Sequence, residues 1–439
     1  MRDVSEQTRT HPSSGSSPRK VALASLVGTS IEWYDFYIYG LAAVTVFAPQ
    51  FFPGSSPLAG SLAAFGTFAV GFIARPIGGV LFGHLGDRVG RRNTLVITLV
   101  TMGLATFLIG LLPSYATIGV AAPVLLVVLR LVQGFAVGGE WGGAVLLSTE
   151  HAPGGKRGFY GSFPQLGVPI GLIASNAVFL VLTAGLSPEA FSSWGWRVPF
   201  LASALLVIVG LWVRLQVTES EEFTEVRSAG QSMVLPIAGV LRHHLPQVLC
   251  GIALFTGITG VGYMAATFSI QYGASAYGMP RTGLIAVVLV VAVIEVPIIL
   301  WFSAAADRWG LSRTILGGAV ATAVVMAVFL PLLASASLVL AAVAIAGARW
   351  GSAPMWGPSG ALAAQAYPAE VRYSGASVGY QLGSITGGAL APILTTLLLA
   401  SPLGMVGASV YLVAIVVLSG IGAVLAARLL QKRAISSSV

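Results

Sequence analysis

A charged pattern occurs twice in this chain at a fixed offset, and nearly everything around the two copies is apolar. The first copy is GHLGDRVGRR, Gly83–Arg92, and the second is AADRWGLSR, Ala305–Arg313. Asp87 precedes Asp307 by 220 positions, Glu150 precedes Glu370 by 220, and Arg130 precedes Arg349 by 219. Three charged landmarks at one spacing predict a duplicated helical unit, folded twice in parallel. The medium follows from the charge content. A soluble domain carries about 25% charged residues, and this chain has 9%. It cannot build a water-facing surface, so the repeats are predicted to lie in a bilayer, as an all-α membrane protein.

A membrane span needs about 20 apolar residues. Breaks at proline, glycine and charge clusters divide the chain into twelve such segments, near 21–48, 58–83, 93–113, 120–147, 158–184, 194–217, 244–273, 282–304, 312–334, 336–364, 373–400 and 404–430. The predicted organisation is a disordered tail at 1–19, a six-helix bundle at 20–217, a polar connection at 218–243, a second six-helix bundle at 244–430 and a short tail at 431–439. With both termini in the cytoplasm, 18 of the 23 Lys and Arg fall in the tails and even-numbered loops. That bias predicts the orientation. It also accounts for the net charge of +8 as a topology signal, so no nucleic-acid partner is expected. Cys250 is the single cysteine, which excludes an intramolecular disulfide. No metal-ligand spacing, nucleotide loop or nucleophile constellation is present, so neither a metal, a cofactor nor an enzymatic activity is expected.

GHLGDRVGRRNTL resembles the loop motif of the major facilitator superfamily. Glu150 with Arg157-Gly158, and Glu370 with Arg372 and Gly375, resemble its matching acid-and-arginine motif and the echo of that motif. GTSIEWYDFYIYG in span 1, GFIARPIGGVLFGHLGDRVGRR in span 2, LRLVQGFAVGGEWGGAVLLSTEHAP in span 4, SSWGWRVPF opening span 6 and Val371–Gln381 are similar to the metabolite:proton symporter family. That family includes shikimate, α-ketoglutarate, citrate and proline/betaine porters, and the wording here is closest to its shikimate-like members. The resemblance implies twelve helices in two pseudo-symmetric bundles, acting as a monomer in a bacterial inner membrane. It implies a proton as coupling ion and a small organic acid, such as shikimate or a di- or tricarboxylate, as substrate. A betaine or proline porter is the alternative, and the tail Gln431–Val439 lacks the heptads of osmosensing relatives. Drug efflux fits less well, because the glycine-proline motif of antiporters is altered to GVPIG, Gly167–Gly171. The second loop motif departs from the pattern, with Leu311 and Ser312 where the first copy has two arginines, so unequal latching of the two gates is expected.

Ionisable groups within membrane spans are costly, and are paired or functional. Glu32 and Asp35 are three apart and share a face of span 1. Arg130 lies about 15 Å into span 4 and so overlaps them in depth. Spans 1, 4, 7 and 10 line the cavity in the family, so an acid on span 1 is expected to meet Arg130. A carboxylate in an apolar site favours its protonated form and a nearby guanidinium favours the charged one, which is a physical route to coupling. Glu32, Asp35 and Glu140 are therefore the proton-coupling candidates, with a salt bridge to an arginine as the competing reading for Glu140.

Arg75 and Glu295 are equivalents at the 220 offset, with opposite signs. Arg75 is an anion-binding candidate because guanidinium grips a carboxylate bidentately. Glu295 reads as a structural acid or an acceptor for a substrate hydroxyl. Arg130 and Arg349, one from each half, are expected to clamp the substrate. Tyr263, Gln165, Trp356, Tyr380 and Gln381 are further candidate contacts, although tryptophans more often pack or anchor at an interface. The predicted cytoplasmic gate comprises Gly83, Asp87, Arg88, Gly90, Arg91, Glu150, Arg157, Asp307, Glu370 and Arg372.

Overall fold

The computed structural model describes residues 17–53, 57–219, 224 and 236–437. The tail expected at 1–19 lies outside them up to position 16, as do most of the connection at 218–243 and the last two residues. Twelve long helical segments follow one another among the described residues. They are α1 (Pro18–Ala42), α2 (Pro57–Val89), α3 (Arg91–Leu111), α4 (Ala121–Glu150), α5 (Phe163–Gly185) and α6 (Arg197–Leu215) in the first half. The second half has α7 (Leu245–Tyr263), α8 (Arg281–Trp309), α9 (Leu311–Ala334), α10 (Leu338–Gln365), α11 (Arg372–Ser384) and α12 (Gly404–Ser437). Taken with the short helical turns that adjoin them, so that α5, α7 and α11 belong to runs Arg157–Gly185, Leu245–Tyr277 and Arg372–Ala400, ten of the twelve are long and apolar enough to cross a membrane by length and composition. The other two, α1 and α2, hold Glu32, Asp35 and Arg75. Helix is the form such sequences must take in lipid, because it satisfies every backbone polar group within the segment.

The repeat extends to local irregularities. A π-turn at Ala43–Phe47 follows α1, and another at Met264–Phe268 follows α7, 221 positions later. The charged motifs, expected in loops, are instead helical: α2 runs through Asp87 and α8 through Asp307. Each helix then stops at a glycine, Gly90 at φ 119° and Gly310 at φ 95°, where an L side chain would be strained. A new helix starts at the next residue. One glycine therefore makes each sharp turn, and the aspartate three residues earlier projects from a rigid helix end.

Within the first half the closest partners are α2 with α4 and α1 with α5. Within the second they are α9 with α10 and α7 with α12. The halves meet along α2 with α11 and α5 with α8. The α2–α4 contact depends on small residues, as expected where lipid supplies no hydrophobic drive between helices. A side chain at Gly138 would run into the backbone of Arg75, Gly78 and Gly79. Gly138→Val is therefore expected to destabilise the first bundle by about 3 kcal/mol or more. The check is thermal unfolding of purified protein, and an unchanged unfolding temperature would contradict this packing account.

Candidate functional site

A cavity lies between the halves. It is lined by Trp33 and Tyr37 of α1, Arg75 of α2, Tyr263 of α7, Glu295 of α8, Arg349 and Trp356 of α10 and Tyr380 of α11, with smaller residues between them. Arg75 and Glu295, equivalent in the repeat, thus face one space.

The two cavity arginines are held differently. The Arg75 guanidinium sits 4.6 Å from the ring of Phe36, 4.7 Å from Phe72 and 5.8 Å from Trp33. Arginine suits such a cage because guanidinium is weakly hydrated and stacks on aromatic faces. Among the described residues Arg75 has no ion pair and no hydrogen bond from its side chain. Arg349 is instead bonded to Oε2 of Glu295, from Nε at 2.9 Å and from Nη2 at 2.5 Å. The structure does not bring the expected clamp of Arg130 and Arg349 together: Arg349 lines the cavity holding an internal carboxylate, and Arg130 lies outside that cavity. Nothing in the sequence pattern pairs positions 295 and 349, which lie on different helices.

Arg130 lines a second, tightly closed pocket with Glu32, Arg75 and Gln133. Its guanidinium stacks 4.1 Å from Tyr39 and 5.1 Å from Phe36, and donates to Gln133 Oε1. Gln133 Nε2 donates to Thr106 Oγ1 at 2.8 Å, and Thr106 donates to Asp35 Oδ2 at 2.8 Å. Asp35 and Arg130 are therefore linked through two neutral side chains, where the sequence suggested a direct meeting. Asp35 Oδ1 and Glu32 Oε2 are buried with no hydrogen-bond partner among the described residues. Thr106 and Gln133 were missed because neutral polar residues do not stand out within apolar helices.

Glu140 faces away from both pockets. It accepts from Arg214 of α6 and, at 2.7 Å, from Thr98 of α3. This is the competing reading for Glu140: a buried pair tying α3, α4 and α6. Arg214, one of the 18 Lys and Arg assigned from sequence to tails and even-numbered loops, is 2% exposed and lies inside the bundle, which corrects that count.

The predicted contacts Gln165 and Gln381 are buried and used between the halves. Gln165 accepts from Trp141 at 2.8 Å and donates to Trp356 O at 3.1 Å and Ser359 Oγ at 3.0 Å. Trp356 Nε1 returns a bond to Gln165 O at 3.0 Å. Gln381 Nε2 donates to Gly138 O at 2.9 Å. Tyr380 stacks on Trp141 with centroids 4.0 Å apart. Of the five uncharged candidates, Tyr263, Trp356 and Tyr380 line the cavity, and the two glutamines fasten one half to the other.

At the end carrying the repeated motifs, the halves cap each other reciprocally. Asp87 accepts from Tyr373 N at 3.1 Å and from Ser374 N and Oγ at 3.0 and 2.8 Å, at the start of α11. Asp307 accepts from Gly158 N at 2.7 Å and Phe159 N at 2.9 Å, at the start of the short helix before α5. A carboxylate suits these positions because helix N-termini present free N–H groups and a positive dipole end. Around Asp87, Glu150 also takes Arg91 and Arg372, each at 3.2 Å. On the other side Leu311 stands at the position of Arg91, and Glu370 makes no ion pair among the described residues. Gly83 packs against Ser374, Gly90 forms the turn, and Arg88 and Arg157 are exposed.

Two six-helix bundles around a central, largely apolar cavity that carries Arg75, Glu295 and Arg349 define a multi-pass membrane transporter. The chain belongs to the Major Facilitator Superfamily, whose profile matches residues 25–372. It is 43% identical over 390 residues to the inner membrane metabolite transport protein YhjE of Escherichia coli (strain K12), covering 86% of this chain and 87% of that one. It is 41% identical over 394 residues to the shikimate transporter of the same organism, covering 88% of each. A shorter match, 43% over 207 residues, joins 47% of this chain to 41% of the proline/betaine transporter of Salmonella typhimurium. Among solved structures, the proton:xylose symporter XylE bound to 6-bromo-6-deoxy-D-glucose superposes with a TM-score of 0.74 at 17% identity, covering 92% of this chain and 94% of that one; this is a likeness of fold alone. The named relatives are transporters and not enzymes.

Proposed function

We propose that the protein imports a small organic acid with a proton, by alternating access, across a bacterial inner membrane. The observation that carries this reading is Arg75: a guanidinium lining the central cavity, with ring faces as neighbours and no acid bound to it among the described residues. A buried cation is costly in the membrane, and a substrate carboxylate supplies the missing anion through two parallel bonds. Glu32 shares the second pocket with Arg75 and Arg130, and Asp35 reaches Arg130 through Thr106 and Gln133. A proton taken up by Glu32 or Asp35 removes a negative charge beside these arginines and leaves them to the anion. Loss of that proton restores the competing carboxylate and favours release. The halves rock about the site between the two events. The Asp87 and Asp307 caps hold the cytoplasmic side shut while the cavity faces outward. The Lys/Arg bias places both termini in the cytoplasm, and the working unit is a monomer with no cofactor beyond the proton.

A betaine or proline porter is the second reading, prompted by the shorter match to a proline/betaine transporter. A quaternary ammonium needs aromatic faces and an acid. Here Arg75 occupies the faces of Trp33, Phe36 and Phe72, and Arg349 occupies Glu295. Both features favour an anion. Uptake of labelled organic acids into proteoliposomes separates the readings. Accumulation is expected only with an inward proton gradient, with competition by carboxylates and not by betaine. Equal uptake with and without the gradient would remove the symport claim.

A further inference from the structure

The opposite charges at the equivalent positions 75 and 295 fix how many anionic groups this cavity accepts. Its charged lining among the described residues is two cations, Arg75 and Arg349, and one anion, Glu295, so a single positive charge is left unanswered while Glu32, in the adjoining pocket with Arg75, carries its proton. Arg349 turns two of its donors, Nε and Nη2, to one oxygen of Glu295, and Glu295 is 2% exposed. The side edge of the guanidinium, Nε with Nη2, is therefore in use, and any carboxylate reaching the remaining Nη1 would lie beside Glu295. Tyr263 Oη, in the same lining, is buried without a hydrogen-bond partner among the described residues, so the cavity also offers an uncharged polar contact.

We propose that Glu295 is the specificity-determining residue of the cavity: an internal carboxylate that stands where the second carboxylate of a dicarboxylic acid would bind Arg349, and so restricts the site to monocarboxylates. This rests on the organic-acid reading above. The substrate's one carboxylate meets Arg75. Its uncharged polar part meets Tyr263 and the Glu295–Arg349 pair. A dicarboxylate would set its second charge against Glu295, and like charges brought together at a desolvated site oppose binding.

Binding is measured by titration calorimetry on the purified full-length protein with three matched pairs of probes. These are lactate and malate, 4-hydroxybenzoate and terephthalate, and cyclohexanecarboxylate and cyclohexane-1,4-dicarboxylate. In the wild type the monocarboxylate of any pair that binds is expected to win by at least about tenfold. Glu295→Gln frees Arg349, and the dicarboxylate of that pair should gain about 10- to 100-fold. Glu295→Asp keeps the charge and should keep the wild-type order. The double variant Glu295→Gln with Arg349→Gln leaves no uncompensated charge from the pair, and it should show no gain. A wild type that binds the dicarboxylate as tightly as its partner overturns the proposal, whether or not Glu295→Gln folds. So does a folded Glu295→Gln with an unchanged order. If no member of any pair binds the wild type while betaine does, or nothing binds, the organic-acid reading falls and this inference falls with it.

Discussion

Arg75→Gln will weaken binding of the transported acid about 100-fold, in line with the loss of a buried hydrogen-bonded charge partner. The cage of Trp33, Phe36 and Phe72 positions this guanidinium without neutralising it. Glutamine can offer an amide to the carboxylate, but it brings neither the charge nor the bidentate fork. Arg75→Lys should recover only part of the loss, about tenfold weaker than wild type, because an ammonium lacks the planar faces that the three rings hold. Calorimetry on the purified variants gives the comparison, with size-exclusion elution confirming that each is folded. Removal of Arg349 together with its partner, as Arg349→Gln with Glu295→Gln, should cost binding less, since the pair carries no net charge. If Arg75→Gln binds the acid like wild type while the Arg349→Gln, Glu295→Gln double variant does not, the anion site belongs to α10 and the roles of the two arginines are inverted.

The architecture was legible because charges are rare in this chain. With so few, a recurring offset is easily seen, and it gave the repeat and the equivalent places of Asp87 and Asp307, while the apolar runs between the charges gave the twelve spans. The offset also set Arg75 against Glu295, and both line the same cavity. What the pattern could not supply is direction across helices. Position and depth along a span can be counted from sequence, so the overlap of Asp35 and Arg130 was visible. Which way each side chain turns depends on helix rotation and on neighbours far away in the chain. That is why the Thr106–Gln133 link, the Glu295–Arg349 pair and the Glu140–Arg214 pair emerge only with the fold. Arg214 was counted with the loop charges for a related reason: it ends an apolar run, where a charge reads as the start of a loop, yet it turns back into the bundle and donates to Leu95 O. Gln165 and Gln381 look like ligand contacts in sequence because a buried amide must bond to something. Here the something is the opposite half of the protein.

Asp35→Asn will abolish concentrative uptake while leaving exchange of substrate across the membrane intact. The asparagine amide keeps the shape of the carboxylate and retains an oxygen for the Thr106 hydroxyl, so the link through Gln133 to Arg130 can persist. It cannot bind and release a proton in the cycle. For one proton per substrate anion, a pH difference of one unit sustains about a tenfold concentration ratio, since a factor of ten corresponds to about 1.4 kcal/mol. The variant should bring that ratio to about one. Counterflow, which needs only a loaded carrier to reorient, should continue, because the cavity around Arg75 is unaltered. Both are measured in the same proteoliposomes, with and without an imposed pH difference. Loss of counterflow together with accumulation would mean that Asp35 serves the fold or the movement and not the coupling. Normal accumulation by Asp35→Asn, with its loss in Glu32→Gln, would move the proton to the acid that shares a pocket with Arg75 and Arg130. The outcome decides whether coupling acts on the arginines across that pocket or through the neutral link, because Glu32 lines the pocket and Asp35 does not.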